Sequence, residues 1–147
     1  SSYVEIGRQP QLNIDSALTI ITWIRPYNLR YRRTILDRNF VSRGYLIGIY
    51  DSKLTVSAGT RTLTYDSLCL DKWHQVALTC DGRSVSLSVN GKTVASDTDS
   101  GLIGFSDSTL CIGKQSPNKW YREYFQGSVD EISIYDIALS PDSILSL

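Results

Sequence analysis

The stretch QVALTCDGRSVSLSVNGKTV, residues 75–94, decides the fold. Apolar and polar residues alternate on both sides of Asp81-Gly82 and again around Asn90-Gly91. Both dipeptides tolerate the positive φ values of tight type I′ turns, so each marks a hairpin. A two-residue loop at Asp81-Gly82 sets Cys80 opposite Arg83, Leu78 opposite Val85 and Val76 opposite Leu87. A second two-residue loop at Asn90-Gly91 sets Leu87 opposite Val94. Val76, Leu78, Val85, Leu87, Val89 and Val94 then share one face, and Gln75, Thr79, Ser84, Ser86 and Ser88 share the other. The stretch therefore predicts a three-stranded meander with one dry side, which needs a second layer to cover it.

The rest of the 147 residues can supply that layer. The length suits one domain, residues 1–147, with a sizeable core. Apolar or alternating runs occur at Leu18–Ile24, Tyr45–Tyr50, Lys53–Ser57, Thr109–Ile112 and Val129–Tyr135, punctuated by Gly44, Gly59, Gly101, Gly113 and Gly127. No run has the period of a long amphipathic helix. One helical turn is predicted at Ser140–Leu145, with Ser140 as cap and Pro141 at the first helical position. The expectation is an all-β, two-sheet antiparallel sandwich, with a closed barrel as its rival.

Net charge is zero, but six arginines (Arg25, Arg30, Arg32, Arg33, Arg38 and Arg43) cluster around one acid, Asp37. Such a patch suits sulfated or sialylated glycans, acidic proteins or phospholipid headgroups, or is a solvated loop. Nucleic acid fits poorly, since no helix is available for a major groove and charge is balanced. No segment approaches the about 18 apolar residues of a membrane span, and no signal peptide is recognisable. Methionine is absent even at position 1, which suggests a mature chain or a domain cut from a larger one. Cys69, Cys80 and Cys111 lack metal-ligand spacing, and with one histidine a zinc site is improbable. One disulfide plus a thiol, or three thiols, both remain open; Cys80 has the inward parity of a small core residue.

Four blocks carry a resemblance to a known family. They are Tyr3–Ile6 with Leu12–Ile14 and Leu18–Pro26; Thr34–Arg38; Trp73–Gly82 running to Leu87–Lys92; and Leu110–Gly113 with Phe125–Tyr135 and Ala138–Ser140. In this order and spacing they resemble the concanavalin A-like, laminin G-like jelly roll domains, especially the pentraxin-related branch. The resemblance implies a carbohydrate-recognition or adhesion module in a secreted or cell-surface protein. Such domains often begin with a further strand before the Tyr3-like position; with the sequence starting at Ser1, that strand is expected to have been removed, to be replaced from elsewhere in the chain, or never to have existed. Trp23 and Trp73 are expected to fill the space between layers, and His74 to cap or pack.

The same jelly roll carries glycoside hydrolases, which need two carboxylates about 5–9 Å apart. Related hydrolases place them on one strand in a Glu-x-Asp-x-Glu type run, which is absent here. The only glutamates are Glu5, Glu123 and Glu131, and no nucleophile elbow, phosphate loop or Cys–His pair is present. The chain reads as a non-enzyme. A sugar needs flat aromatic surface for its C–H faces and amides, carboxylates or arginines for its hydroxyls. Two segments mix these groups, giving Tyr31, Arg33, Asp37, Arg38, Asn39 and Tyr45 in the first, and Trp120, Tyr121 and Arg122 in the second, as candidate ligand residues. The same composition suits a protein partner. Related domains commonly use calcium. Asp130 shares the parity of Ile132 and Ile134 and is expected to point inward, as a calcium ligand or as an acceptor for a neighbouring loop.

Overall fold

Residues 2–98, 103–104, 106–116 and 123–147 are described by a computed structural model. Their strands are β1 (Val4–Ile6), β2 (Leu18–Pro26), β3 (Arg33–Asp37), β4 (Tyr45–Tyr50), β5 (Lys53–Ala58), β6 (Arg61–Tyr65), β7 (His74–Cys80), β8 (Val85–Val89), β9 (Lys92–Asp97), β10 (Leu110–Ile112) and β11 (Gly127–Tyr135). They form two antiparallel sheets, a six-stranded one in the order β1-β10-β3-β4-β5-β6 and a five-stranded one in the order β11-β2-β7-β8-β9. Both sheets are open-edged, so the domain is a sandwich and not a closed barrel. Among the described residues no helix is long and apolar enough to cross a membrane.

The inner faces follow the alternation of the sequence. Ile20, Ile24, Val76, Leu78, Leu87 and Val89 of the five-stranded sheet join one core cluster with Leu36, Ile47, Ile49, Leu54, Val56 and Leu63 of the other. Full burial of each such side chain stabilises by about 1.5–3 kcal/mol before entropy is counted. Cys80 belongs to this core, as its parity predicts, and none of the three cysteines is in a disulfide.

The meander keeps its faces but not its predicted register. Cys80 lies opposite Val85, Leu78 opposite Leu87 and Val76 opposite Val89, a shift of two residues that preserves parity. The cause is the Asp81 side chain. Its Oδ1 accepts the backbone N–H of Arg83 at 2.8 Å and of Ser84 at 2.7 Å, and Asp81 N–H donates to the Ser84 carbonyl. These bonds make a four-residue loop of Asp81–Ser84 instead of a two-residue turn. The Asn90-Gly91 turn has the predicted length, with Val89 opposite Lys92. A bulge between Leu87 and Ser88 then sets Leu87 opposite Ala95 instead of Val94.

Both tryptophan expectations are corrected. In β2, Leu18, Ile20 and Ile24 face the core, so Trp23 falls on the outer face, opposite Gln75 and Asp130, and is half-buried. Trp73 precedes β7 with the outward parity of Gln75 and is 42 % exposed. The predicted helical turn is present as α1 (Pro141–Leu145), with Ser140 accepting the Ser143 N–H and Pro141 at its start. Its Ile144 packs with Ile21 and Ala77 on the outer face of the five-stranded sheet.

Leu78 sits at the centre of the dry interface. Leu78→Ala is expected to lose about 2–5 kcal/mol in urea unfolding, since the cavity cannot fully collapse between two sheets. A loss below about 1 kcal/mol would mean the sheets do not pack as described.

Candidate ligand-binding surface

Six of the nine candidate ligand residues are described, and three of these six are interior. Asp37 pairs with Leu46 and Cys111 on the outer side of the six-stranded sheet, where the segment 113–116 covers it. One carboxylate oxygen accepts the Asn39 N–H at 2.8 Å and the other the Ser116 N–H at 2.9 Å. Arg38 turns to the opposite side, into the end of the sandwich, and is 1 % exposed. Its Nη1 donates to the carbonyls of Ser106 at 2.6 Å and Ser108 at 3.0 Å, and its Nη2 donates to Asn13 Oδ1 at 2.6 Å. Tyr45 is buried beside it, with its hydroxyl donating to the Leu12 carbonyl at 3.2 Å. Asp37, Arg38 and Tyr45 thus hold loops closed over the sandwich. Side chains buried in this way present no surface to a ligand, which corrects their assignment as ligand residues.

The other three described candidates can be reached from solvent. Tyr31 is 75 % exposed, with the Arg33 guanidinium 6.0 Å from its ring centre. Arg33 Nε donates to the Arg30 carbonyl at 3.1 Å, and Asn39 is half-buried. Trp120, Tyr121 and Arg122 lie outside the described residues.

The arginine cluster is divided by the fold. Arg38 is internal, Arg25 pairs with Asp71 at 2.7 Å, and Arg32 pairs with Glu123 at 3.1 Å while lying 4.3 Å from the Tyr50 ring centre. Burial comes first among the influences on Arg32 and opposes its charge, but Tyr50 and Glu123 outweigh it and hold the guanidinium above its usual range.

Asp130 is exposed, contrary to its expected inward parity. A bulge between Asp130 and Ser133, with Glu131 at φ +52°, inserts the extra residue that reverses the alternation. Asp130 therefore lies opposite Trp23 on the outer face, while Ile132 and Ile134 still pack against the core. Its Oδ1 accepts the Glu131 N–H at 2.9 Å. Among the described residues no three His, Cys, Asp or Glu side chains gather as a metal site. Asp130 brings one carboxylate where calcium takes six to eight oxygens.

A surface unforeseen in the sequence emerges at this end of the five-stranded sheet. Trp23, Arg25, Gln75, Ser128 and Asp130 occupy neighbouring outer positions by strand register, and Trp73 continues the row. Tyr27, 51 % exposed, extends it beyond β2, with its hydroxyl 3.1 Å from Ser128 Oγ and the Arg25 guanidinium 5.6 Å from its ring centre. Trp23 also lines a recess of about 100 Å³ with Ile21, Gln75, Glu131, Ser133 and Tyr135. The signal was present in the alternation of Ile21, Trp23 and Arg25, once the inward set of β2 is fixed. His74 is buried behind the row, its Nε2 3.1–3.2 Å from the backbone of Cys69.

Two antiparallel sheets with this strand order define a concanavalin A-like jelly roll. The chain belongs to the concanavalin A-like lectin/glucanases superfamily, whose family model matches residues 1–145. Nothing singles out the pentraxin-related branch within it. A crystal structure of a candidate carbohydrate-binding protein from Bacteroides ovatus superposes with a TM-score of 0.82 at 22 % identity, over 97 % of this chain and 43 % of that one. The ligand-binding domain of botulinum neurotoxin serotype D, in complex with N-acetylneuraminic acid, gives 0.74 at 15 %, over 97 % and 38 %. The binding domain of botulinum neurotoxin DC, in complex with rat synaptotagmin II, gives 0.66 at 18 %, over 88 % and 34 %. The chain thus spans less than half of each of these structures. No curated protein sequence matches it closely enough to count as a relative.

Removing the Arg38 clamp takes a charged donor from the buried Ser106 and Ser108 carbonyls. Arg38→Met is expected to destabilise by about 3 kcal/mol in denaturant unfolding, as each buried carbonyl loses a charge-assisted bond. An unchanged midpoint would return Arg38 to the surface.

Burial pushes the Tyr45 phenol up to about 12, with Arg38 opposing, and the Cys111 thiol up to about 11. Both groups keep their protons to higher pH when folded than when unfolded. Their stabilisation is complete below about pH 9 and falls as pH rises to about 12, as a urea-midpoint series will show. Tyr45→Phe is expected to flatten the part of that decline above about pH 10.

Proposed function

We propose that the chain is a noncatalytic carbohydrate-binding module in an extracellular or cell-surface setting. One observation supports this most: Trp23, Trp73 and Tyr27 lie at one end of the five-stranded outer face among Arg25, Gln75, Ser128 and Asp130. Indole and phenol rings receive the C–H face of a sugar, and the polar side chains between them receive its hydroxyls. Rigid strands carry most of these groups, so little order has to be created on binding. Glu5, Glu123 and Glu131 stand on three separate segments, on β1, before the bridge at Tyr124 and on the β11 bulge, which offers no support for a hydrolase. The sugar-bound toxin domain and the Bacteroides ovatus protein share the fold and agree with this reading. The toxin domain bound to synaptotagmin supports the alternative, an adhesion or assembly domain that recognises protein.

A broad glycan array at physiological salt, run with calcium and with chelator, tests the proposal. Selective binding is expected, and Trp73→Ala is expected to weaken it at least tenfold without lowering the melting temperature. Tyr31→Ala with Arg33→Ala tests the arginine-bearing loop, where a loss confined to sialylated and sulfated glycans is the signature of an acidic ligand. Loss of binding with chelator would show a calcium requirement. A clean negative from folded protein moves the reading to a protein partner.

A further inference from the structure

On the other side of α1, the outer face of the same sheet holds a recess of about 320 Å³. Its floor carries Thr79 of β7, Ser86 and Ser88 of β8 and Thr93 of β9, and its wall carries Leu139, Pro141 and Ile144. Register sets Thr79 opposite Ser86 and Ser88 opposite Thr93. None of these four hydroxyls has a hydrogen-bond partner within the described protein, whereas Ser84 and Ser140 nearby are engaged by Asp81 and Ser143. We infer that this trough is a second binding site, for one neutral pyranose unit, distinct from the aromatic end.

Size, polarity and charge agree on that ligand. The volume lies at the small end of the range of about 300–1,000 Å³ for small-molecule sites. Opposed positions on a sheet face stand about 4.5–5.5 Å apart, a spacing that lets two hydroxyls of one ring be held at once. The apolar wall then takes the ring's C–H face, so the ligand needs one polar and one apolar side. No lysine, arginine or histidine lines the recess. Its one charged group is Asp81, whose carboxyl is held below its usual range first by the Ser84 and Arg83 backbone N–H groups, and so stays negative. An anionic sugar is repelled there. A peptide strand could pair here only along β9, an edge of this sheet, since β7 and β8 are paired on both sides.

The choice of a sugar rests on the carbohydrate-binding reading, but the site does not share its residues. Isotope-labelled protein titrated with maltose, cellobiose, mannobiose and lactose, with sialyllactose as the anionic control, tests it by amide shifts. Saturable shifts at Ser86, Ser88, Thr93 and Leu139 are expected with at least one neutral disaccharide, and sialyllactose is expected to bind no tighter than lactose. Ser88→Val, or Ser86→Val in parallel, is expected to weaken this binding at least tenfold; both residues suit a strand, and the spectrum itself reports folding. Trp73→Ala should leave the trough shifts unchanged. Shifts confined to the Trp23 end would overturn the trough while sparing the proposed function. Trough shifts that survive both valine variants, or no trough response to any of the four disaccharides, would also overturn it.

Discussion

The dry interface between the two sheets constrains everything else. With inward positions committed to Ile20, Ile24, Leu78, Leu87 and their partners on β3–β6, every other strand residue is driven outward. That is why Trp23, a residue expected in the interior on grounds of size, lies on the surface. Its place was set by the parity of its neighbours and not by its own hydrophobicity. The same parity places Ser86, Ser88 and Thr79 outside, where hydroxyls need no buried partner. Core packing therefore dictates which chemistry reaches the surface, and in which rows.

Closing the ends of a sandwich is a different physical problem, solved here with charge. Loop backbone cannot be satisfied by strand pairing, so its carbonyls and N–H groups require other partners. Arg38 supplies donors to Ser106 and Ser108, while Asp37 supplies acceptors to Asn39 and Ser116. Adjacent in sequence, the two residues point to opposite sides of β3 and secure different loops. An arginine-rich stretch is consequently a poor guide to surface potential, since its members divide between internal clamps, ion pairs and solvent.

Regular alternation made most of the fold legible. The runs at Leu18–Ile24, Tyr45–Tyr50 and Val129–Tyr135 all became strands, and Ser140-Pro141 announced α1. What escaped were local departures from the period of two. Asp81 bonds its own loop and lengthens the turn, and the bulge at Glu131 reverses the face of Asp130. Neither event is visible in a hydrophobic pattern, because one depends on a side chain bonding its own loop and the other on a single residue with positive φ. The candidate site was less legible for a further reason. Tyr45, Asp37 and Arg38 have the composition of a binding loop, and only their long-range contacts with Leu12, Asn13, Ser106, Ser108 and Ser116 reveal them as interior.

The bulge at Glu131 also shapes the surface beyond its own strand. Without it, Asp130 would face the core as an unpaired carboxylate, at a desolvation cost of several kcal/mol (order of magnitude). With it, β11 keeps Ile132 and Ile134 inward and still delivers Asp130 outward beside Trp23. Edge strands tolerate such insertions because only one neighbour must adjust, and β11 is the edge of its sheet. One inserted residue therefore resolves an electrostatic conflict and adds a carboxylate to an aromatic row. On the same face, α1 is anchored by Ile144 between that row and the hydroxyl trough. A short capped helix thus divides one continuous sheet surface into an aromatic half and a hydroxyl half on a shared rigid support.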